Sequence, residues 1–247
     1  MSKKIVIDIN VDLGEGYNNE SQLMPYLSSC NIACGGHAGD EKTMLEVVRL
    51  AKQHGIKIGA HPSFPDKKNF GRMPMIIGAE QLTRSLVNQV ETFLSIASEE
   101  NIRVNHIKPH GALYNLAAKE LKTATIIIEV IRHFDLKLKL YAPYKSVVAN
   151  EAIAHGIEVV YEAFADRNYN NDLSLVSRTK PNAVINNPES VLRHLKSMAE
   201  HHQVLTINGV GKELKADTFC IHGDNKNAET ILKFLSQKLG AENIEIA

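Results

Sequence analysis

The sequence has no excess of either charge. Its 28 Lys and Arg residues balance 28 Asp and Glu residues, which removes the electrostatic ground for a nucleic-acid or anionic-membrane partner. Cysteine is sparse. Cys30, Cys34 and Cys220 are an odd, scattered set, too few for a disulfide framework and suited to a reducing cytoplasm. No apolar run approaches the ~20 residues of a membrane span. The opening stretch MSKKIVIDINVDLGEG is interrupted by Asp8, Asn10 and Asp12, so it reads as a first β-strand rather than a signal peptide. Low-complexity segments, Pro/Ser linkers and repeats of about 20 to 50 residues are also missing. So are several local signatures. There is no GxGxxG and no Walker A sequence ending in Gly-Lys-Ser/Thr. A GxSxG elbow and an HExxH helix are absent too. Cys30 and Cys34 have no second pair with which to build a structural zinc site, and no cysteine sits where its thiolate would be favoured.

What is present is the composition of a globular chain, 44% hydrophobic and 23% charged over 247 residues, long enough to bury a core without cross-links. Short apolar or β-branched runs at 5–11, 30–34, 56–60, 104–108, 138–141, 159–162 and 219–221 read as strands buried on both faces of a parallel sheet. Amphipathic stretches at 41–54, 80–100, 117–134, 145–155, 189–202 and 227–239 lie between or after them. In the first of these, Met44, Val47, Val48 and Ala51 share one face, Asp40 precedes it and Gly55 stands at the C-cap position. Alternating strand and helix predicts an α/β chain with right-handed crossovers. About seven such units suit a (β/α) barrel. The expectation is a single domain over 1–247 with insertions near 167–186, which lacks a helical period, and near 204–216, a hairpin around Asn208-Gly209.

Chemically competent residues recur at the strand ends. The first strand ends in Asn10 and Asp12, followed by Glu15. The second contains Asn31 and leads to His37 and Asp40. The third ends in His61, with Asp66 and Arg72 beyond, and the fourth in Lys108 and His110. The sixth ends in Glu162, Asp166 and Arg167, and the last in His222 and Asp224. The carboxyl ends of a parallel barrel all open on one face, where the βα loops build a site. A lysine there needs an acidic or phosphate partner, and Asp12 and Glu162 are the natural candidates for Lys108. Asp12, His37 and His61 form a carboxylate–histidine set of the kind that holds a divalent metal. The loop ACGGHAGD, with Gly35, Gly36 and Gly39 before a helix, either presents N–H groups to an anion or simply makes a tight turn. Asp40 reads as a helix cap. His54, His106, His133, His155, His194, His201 and His202 read as surface or structural.

The segments DINVDLGEG, SSCNIACGGHAGD, IGAHPSFPD with FGR, VNHIKPHGALYN, EAFADRNY and FCIHGD resemble, in this order, the motifs of the LamB/YcsF family, the A subunits of prokaryotic 5-oxoprolinase. The resemblance runs from residue 7 to about 235. It departs at Gly36, where the family usually has an aromatic, at Asn69, a common glycine, and at Met73, usually a second arginine. The resemblance implies a seven-stranded barrel akin to the glycoside hydrolase/deacetylase group. It implies ATP-dependent hydrolysis of 5-oxo-L-proline to L-glutamate, in concert with separate subunits B and C. ATP would be a cosubstrate, at a site on a partner or between chains, given the missing P-loop. On this reading the catalytic set is Asp12, His61, Lys108, His110, Glu162 and His222. Asp12 or Glu162 would serve as base, and His110, His61 or His222 as acid. Asn10, Asn31, Gly35, Gly36, His37, Arg72, Asp166 and Arg167 would hold substrate or anion. Two other readings stay open: a metal-dependent deacetylase or hydrolase of carbohydrate-like substrates, and a non-catalytic subunit that captures ligand.

Overall fold

The computed structural model describes residues 4–247. Strands β1 (Ile5–Leu13), β2 (Ser29–Ala33), β3 (Lys57–His61), β4 (Val104–Ile107), β5 (Lys139–Pro143), β6 (Val159–Phe164) and β9 (Thr218–Cys220) are all parallel. They run in the order β1-β2-β3-β4-β5-β6-β9, and β9 pairs back onto β1 to close a seven-stranded barrel. The closing register sets Asn10 against Cys220, and the neighbouring ones set Asp12 against Asn31 and Ala33 against His61. The chemically competent strand ends are therefore level with one another.

Side chains alternate across each strand. Ile9, Val11, Ile32, Ile58 and Leu140 are buried in the continuous apolar core. Asp8, Asn10 and Asp12 face the barrel interior, where they bond to Thr218, Asn31 and Lys108. Helix α2 (Glu41–His54) buries Met44, Val47, Val48 and Ala51, each large apolar side chain contributing roughly 1.5–3 kcal/mol. The Asp40 carboxylate accepts from the Thr43 amide at 2.8 Å, and Gly55 ends the helix in the left-handed region. The outer layer is completed by α3 (Ala79–Glu99), α5 (Leu121–His133), α6 (Val147–Ala154), α7 (Pro188–His201) and α8 (Ala228–Lys238).

Three features depart from the sequence pattern. The helix expected over 117–134 starts at Leu121 as α5, and a separate helix, α4 (Gly111–Ala117), ends where it was to begin, because Glu120 is extended at φ −118°, ψ 122° and the Ala118 carbonyl accepts from the Val147 amide. The break lets α4 cross the barrel mouth while α5 packs on its side. A short turn of helix, α1 (Glu20–Leu23), follows the first loop. A last strand, β10 (Ile244–Ile246), pairs parallel with the start of β1. The expected hairpin is present as β7 (Gln203–Leu205) and β8 (Gly211–Glu213). The 167–186 excursion folds over the carboxyl end, where the Arg167 guanidinium donates to the carbonyls of Ala183 and Val176. Among the described residues no helix is long and apolar enough to cross a membrane.

Candidate active site

Lys108 anchors the carboxyl end of the barrel. Its side chain is almost wholly buried, and its ammonium lies 2.8 Å from Asp12 Oδ1 and 2.8 Å from Glu162 Oε1. Asn10 Oδ1 and Cys220 Sγ complete its surroundings at 3.4 and 3.3 Å. Burial alone would neutralise the amine, but the Asp12 and Glu162 carboxylates hold its pKa well above the ordinary lysine value. Asp12 responds in the opposite sense. Burial acts to raise its pKa, and His61 and Lys108 together pull it well below the carboxylate range. Asn31 also donates to Asp12 Oδ1, at 2.8 Å, and Oδ2 faces His61 Nε2 at 3.5 Å. Glu162 sits beneath Lys108, away from the cavity wall. Burial pushes the Cys220 thiol upward, so it stays protonated.

A second cluster adjoins the first. At the end of β1, Gly14 and Gly16 both take positive φ, +72° and +86°, a region open to glycine at no steric cost. This turn swings Glu15 back over the strand ends. Glu15 Oε1 lies 2.9 Å from His37 Nε2, 3.2 Å from His110 Nδ1 and 3.8 Å from His61 Nε2. His37 stacks on His110 with ring centroids 3.6 Å apart. Burial outweighs the Glu15 bond and takes the His37 pKa down to about 4. Burial lowers His110 as well. The nearby His110 and His37 side chains overcome the desolvation of Glu15 and hold its pKa below the carboxylate range. One donor atom from each of Glu15, His37, His61 and His110 lies within 4.8 Å of the others. Sequence spacing suggested Asp12, His37 and His61 for such a set. The structure gathers His37 and His61, with Glu15 and His110 as their companions, and keeps Asp12 beside them, its Oδ1 on Lys108 and Asn31 and its Oδ2 3.5 Å from His61 Nε2.

Beside both clusters opens a cavity of about 540 Å³, lined among others by Asp12, His61, Lys108, His110, Tyr114 and His222. Its volume suits a small ligand. His222 Nδ1 lies 2.9 Å from Asp166 Oδ1, and the His222 amide donates to Asp166 Oδ2 at 3.2 Å. Burial works against ionisation of Asp166, but His222 and Asn225 hold its pKa below the usual value. This bond fixes the imidazole with Nδ1–H toward Asp166, which frees Nε2 for the cavity. Arg72, Arg167 and Arg178 bring positive charge to the same wall. Arg72 and Arg178 converge on Asp224, each at 2.6 Å.

Of the remaining expected ligand-binding residues, Asn10 and Asn31 lie below the cavity as supports for Asp12 and Lys108. Arg167 pins the excursion, and Gly35 turns the loop that carries His37. A Cβ on Gly36 would come within 2.4 Å of Gln89 Oε1. Gln89 fills that space and bonds to both the amide and the carbonyl of Ser63. Tyr114 and Arg178 are additions that the sequence reading did not place in the site, and Glu15, noted there at the first strand end, had been given no role. Glu15 had a signal, an acid between two glycines at a strand end. Arg178 lies in an aperiodic segment and had none.

The chain as a whole is similar to known proteins. The profile of the LamB/YcsF family matches residues 7–247. The 5-oxoprolinase A subunit of Staphylococcus haemolyticus is 40% identical over 245 residues, covering 97% of this chain and 98% of that protein. Its counterpart of the same name in Pyrococcus horikoshii is also 40% identical, covering 97% of this chain and 96% of that one. The crystal structure of the lactam utilization protein from Thermus thermophilus superposes with a TM-score of 0.91 at 34% identity, over 98% of this chain and 99% of that one. Family profile, fold and near full-length similarity agree: the chain belongs to the LamB/YcsF family.

Proposed function

We propose that this chain is the A subunit of an ATP-dependent 5-oxoprolinase and carries the ring-opening site for 5-oxo-L-proline, with partner subunits B and C completing the enzyme. The observation that carries the reading is the cavity at the carboxyl end of the barrel. There Asp12, Lys108, His61, His110 and His222 meet on one wall, in a chain about 40% identical to proteins named for that subunit.

The chemistry demands such a wall. A five-membered lactam is a stable amide with a poor leaving group. Phosphoryl transfer from ATP to the lactam oxygen makes an O-phosphorylated imidate and ADP. Water adds to the imidate carbon, the C–N bond breaks and the ring nitrogen takes up a proton. The acyl phosphate so formed is cleaved by a second water, which gives glutamate and phosphate. His222, oriented by Asp166, is placed to deliver the proton to the departing nitrogen. Asp12 Oδ2 orients the attacking water, and the Lys108 ammonium stabilises negative charge on the oxygens of the adduct. Arg72 and Arg178 lie where a carboxylate or phosphate would be held. The sequence has no P-loop, so ATP is handled by a partner subunit or between chains.

The test is reconstitution. The chain is assayed with and without subunits B and C, with 5-oxo-L-proline and ATP, and glutamate is measured. Product is expected only from the full set. A correctly folded set that makes none overturns the reading.

A further inference from the structure

Cations and acids are not distributed alike around the cavity. Among the described residues, Arg72, Lys108, Lys119, Arg167 and Arg178 line it, and Asp12 is the one carboxylate beside them. The acids that answer the outer cations lie elsewhere. Asp166 and Asp224 line a neighbouring cavity of about 380 Å³, with Arg178 on the partition between the two. Asp172, 3.8 Å from Lys119, is exposed. Lys108 is spent on Asp12 and Glu162, and Arg167 on the carbonyls of Ala183 and Val176. Arg72 and Arg178 remain. Their guanidinium groups make three hydrogen bonds, all to Asp224. Two guanidinium groups have more N–H donors than these bonds use, and both line the cavity.

The three residues come from three loops. Arg72 follows β3, Arg178 lies in the 167–186 excursion and Asp224 follows β9. Arg178 grips the carboxylate with both terminal nitrogens, at 2.6 and 3.1 Å. Arg72 adds a contact of 2.6 Å, and its guanidinium lies 4.7 Å from the centre of the Phe70 ring. Two forks held in this way are preorganised for a further oxyanion. The Asp224 side chain is 7% exposed, against 40% and 33% for Arg72 and Arg178, so the carboxylate is the buried member of the group. Burial works against its ionisation, and Arg178 and Arg72 hold its pKa below the usual value. Two positive charges and one negative leave a single positive charge. Arg167 and Asp166 nearby add one charge of each sign and leave that balance unchanged. A monoanion matches it, whereas a dianion would press its second charge on Asp224. Met73, Phe164, Leu175 and Val176 add apolar surface to the cavity, which suits a ligand with a short hydrocarbon body.

We infer that Arg72 and Arg178 form a subsite for one carboxylate group, and that Asp224 is the positioning residue that sets this subsite for a monoanion and against phosphate. The identity of the ligand rests on the function proposed above. The carboxylate of 5-oxo-L-proline binds at the two arginines, which leaves the lactam ring for Lys108 and His222. The two anions of the reaction are thereby kept apart. The substrate carboxylate belongs to Arg72 and Arg178, and a phosphoryl group on the lactam oxygen belongs to Lys108. The sign and single charge of the ligand stand on the arrangement of Arg72, Arg178 and Asp224, whichever monoanion the cavity takes.

The test is binding by calorimetry to the full chain, with three probes. They are 5-oxo-L-proline, 2-pyrrolidone, which is the same ring without the carboxylate, and inorganic phosphate. Wild-type chain should bind the acid about tenfold or more tightly than 2-pyrrolidone, and phosphate more weakly than the acid. Arg178→Gln should weaken the acid about tenfold or more and leave 2-pyrrolidone unchanged, a split that a loss of structure would not produce. Asp224→Asn should tighten phosphate about tenfold, and the gain should vanish in the double variant with Arg178→Gln. Equal binding of acid and ring by wild-type chain overturns the inference, and that comparison needs no variant to fold. So does a folded Asp224→Asn chain that gains no affinity for phosphate. If Asp224→Asn gains phosphate while wild-type chain binds neither lactam, even with subunits B and C present, the proposed function fails and the monoanion subsite stands.

Discussion

Two buried polar networks occupy this barrel, and they obey different rules. The lower one runs through Asp8, Ser29, Thr218, Asn10, Asn31, His106 and Tyr141. Every donor there meets an acceptor. Ser29 and Thr218 donate to Asp8 Oδ1 at 2.7 and 2.6 Å, and Asn10 Nδ2 donates to Thr218. Asn105 donates to His106 Nδ1, so His106 Nε2 carries its proton to Asn31 Oδ1 at 2.7 Å. The ring stacks on Tyr141 at 3.7 Å, and burial holds it neutral. The upper network has histidines of similar burial, yet His61 and His110 meet there at 3.0 Å and both line the cavity. A network closed on itself builds a scaffold, and one that reaches a cavity wall serves a ligand. Burial of a histidine does not distinguish the two roles. The partner of its second nitrogen does.

The sharpest way to break this contrast is at the junction. Lys108→Met leaves Asp12 and Glu162 buried without their cation, which should cost about 3–5 kcal/mol in urea unfolding and abolish turnover. A loss below about 1 kcal/mol would mean that the pair is solvated. His222→Gln probes the upper region alone. It should lower turnover about 10²–10⁴-fold with little change in melting temperature, since the ring is partly exposed.

The pH dependence of stability sharpens the comparison further. His37 falls to about 4 in the fold from an unfolded value of 6.5. The folded chain thus binds fewer protons between these values, and stability should fall as pH drops from 6.5 toward 4. The His37 share of this loss is roughly 3 kcal/mol at about 1.36 kcal/mol per unit. His37→Asn should flatten that limb of a stability–pH curve. A slope unchanged in the variant would contradict the assignment. Below about pH 4 the depressed carboxyls of Asp12 and Glu15 add a further loss of the same sign.

The lower network predicts a smaller and different effect. Ser29→Ala removes one bond to the Asp8 carboxylate, so stability should fall by about 1.5–3 kcal/mol with turnover per folded molecule preserved. Smallest of all is Gly36→Ala, whose methyl would press on Gln89. A cost of about 1 kcal/mol is expected, with part of it recovered in the double variant with Gln89→Ala. Additive losses in that cycle would show that the two positions are uncoupled.

Much of this arrangement is legible in the sequence, because strand ends announce themselves. An apolar run that stops at Asp12, His61, Lys108 or Glu162 places those groups on one rim once the strands are parallel. The demand of a buried ammonium for acids then couples Lys108 to Asp12 and Glu162, as found at 2.8 Å to each. Glu15 was less legible, since its position depends on two closely spaced reversals at Gly14 and Gly16 rather than on a strand register. His106 lies inside its strand and His61 at a strand end, so position in the run separates scaffold from site, and the partner of the second nitrogen agrees with it. α4 was hidden because its seven residues are too few to show a helical period. β10 was hidden because its three residues gain a partner only when the chain end returns to β1.

The most direct test of the division between scaffold and site is glutamate formation by the reconstituted enzyme, normalised to the folded amount of this chain, for wild type, Ser29→Ala and His222→Gln. The account predicts equal rates for wild type and Ser29→Ala, despite the latter's lower stability, and a loss of about 10²-fold or more for His222→Gln. Wild-type turnover by His222→Gln in the assembled enzyme would contradict it.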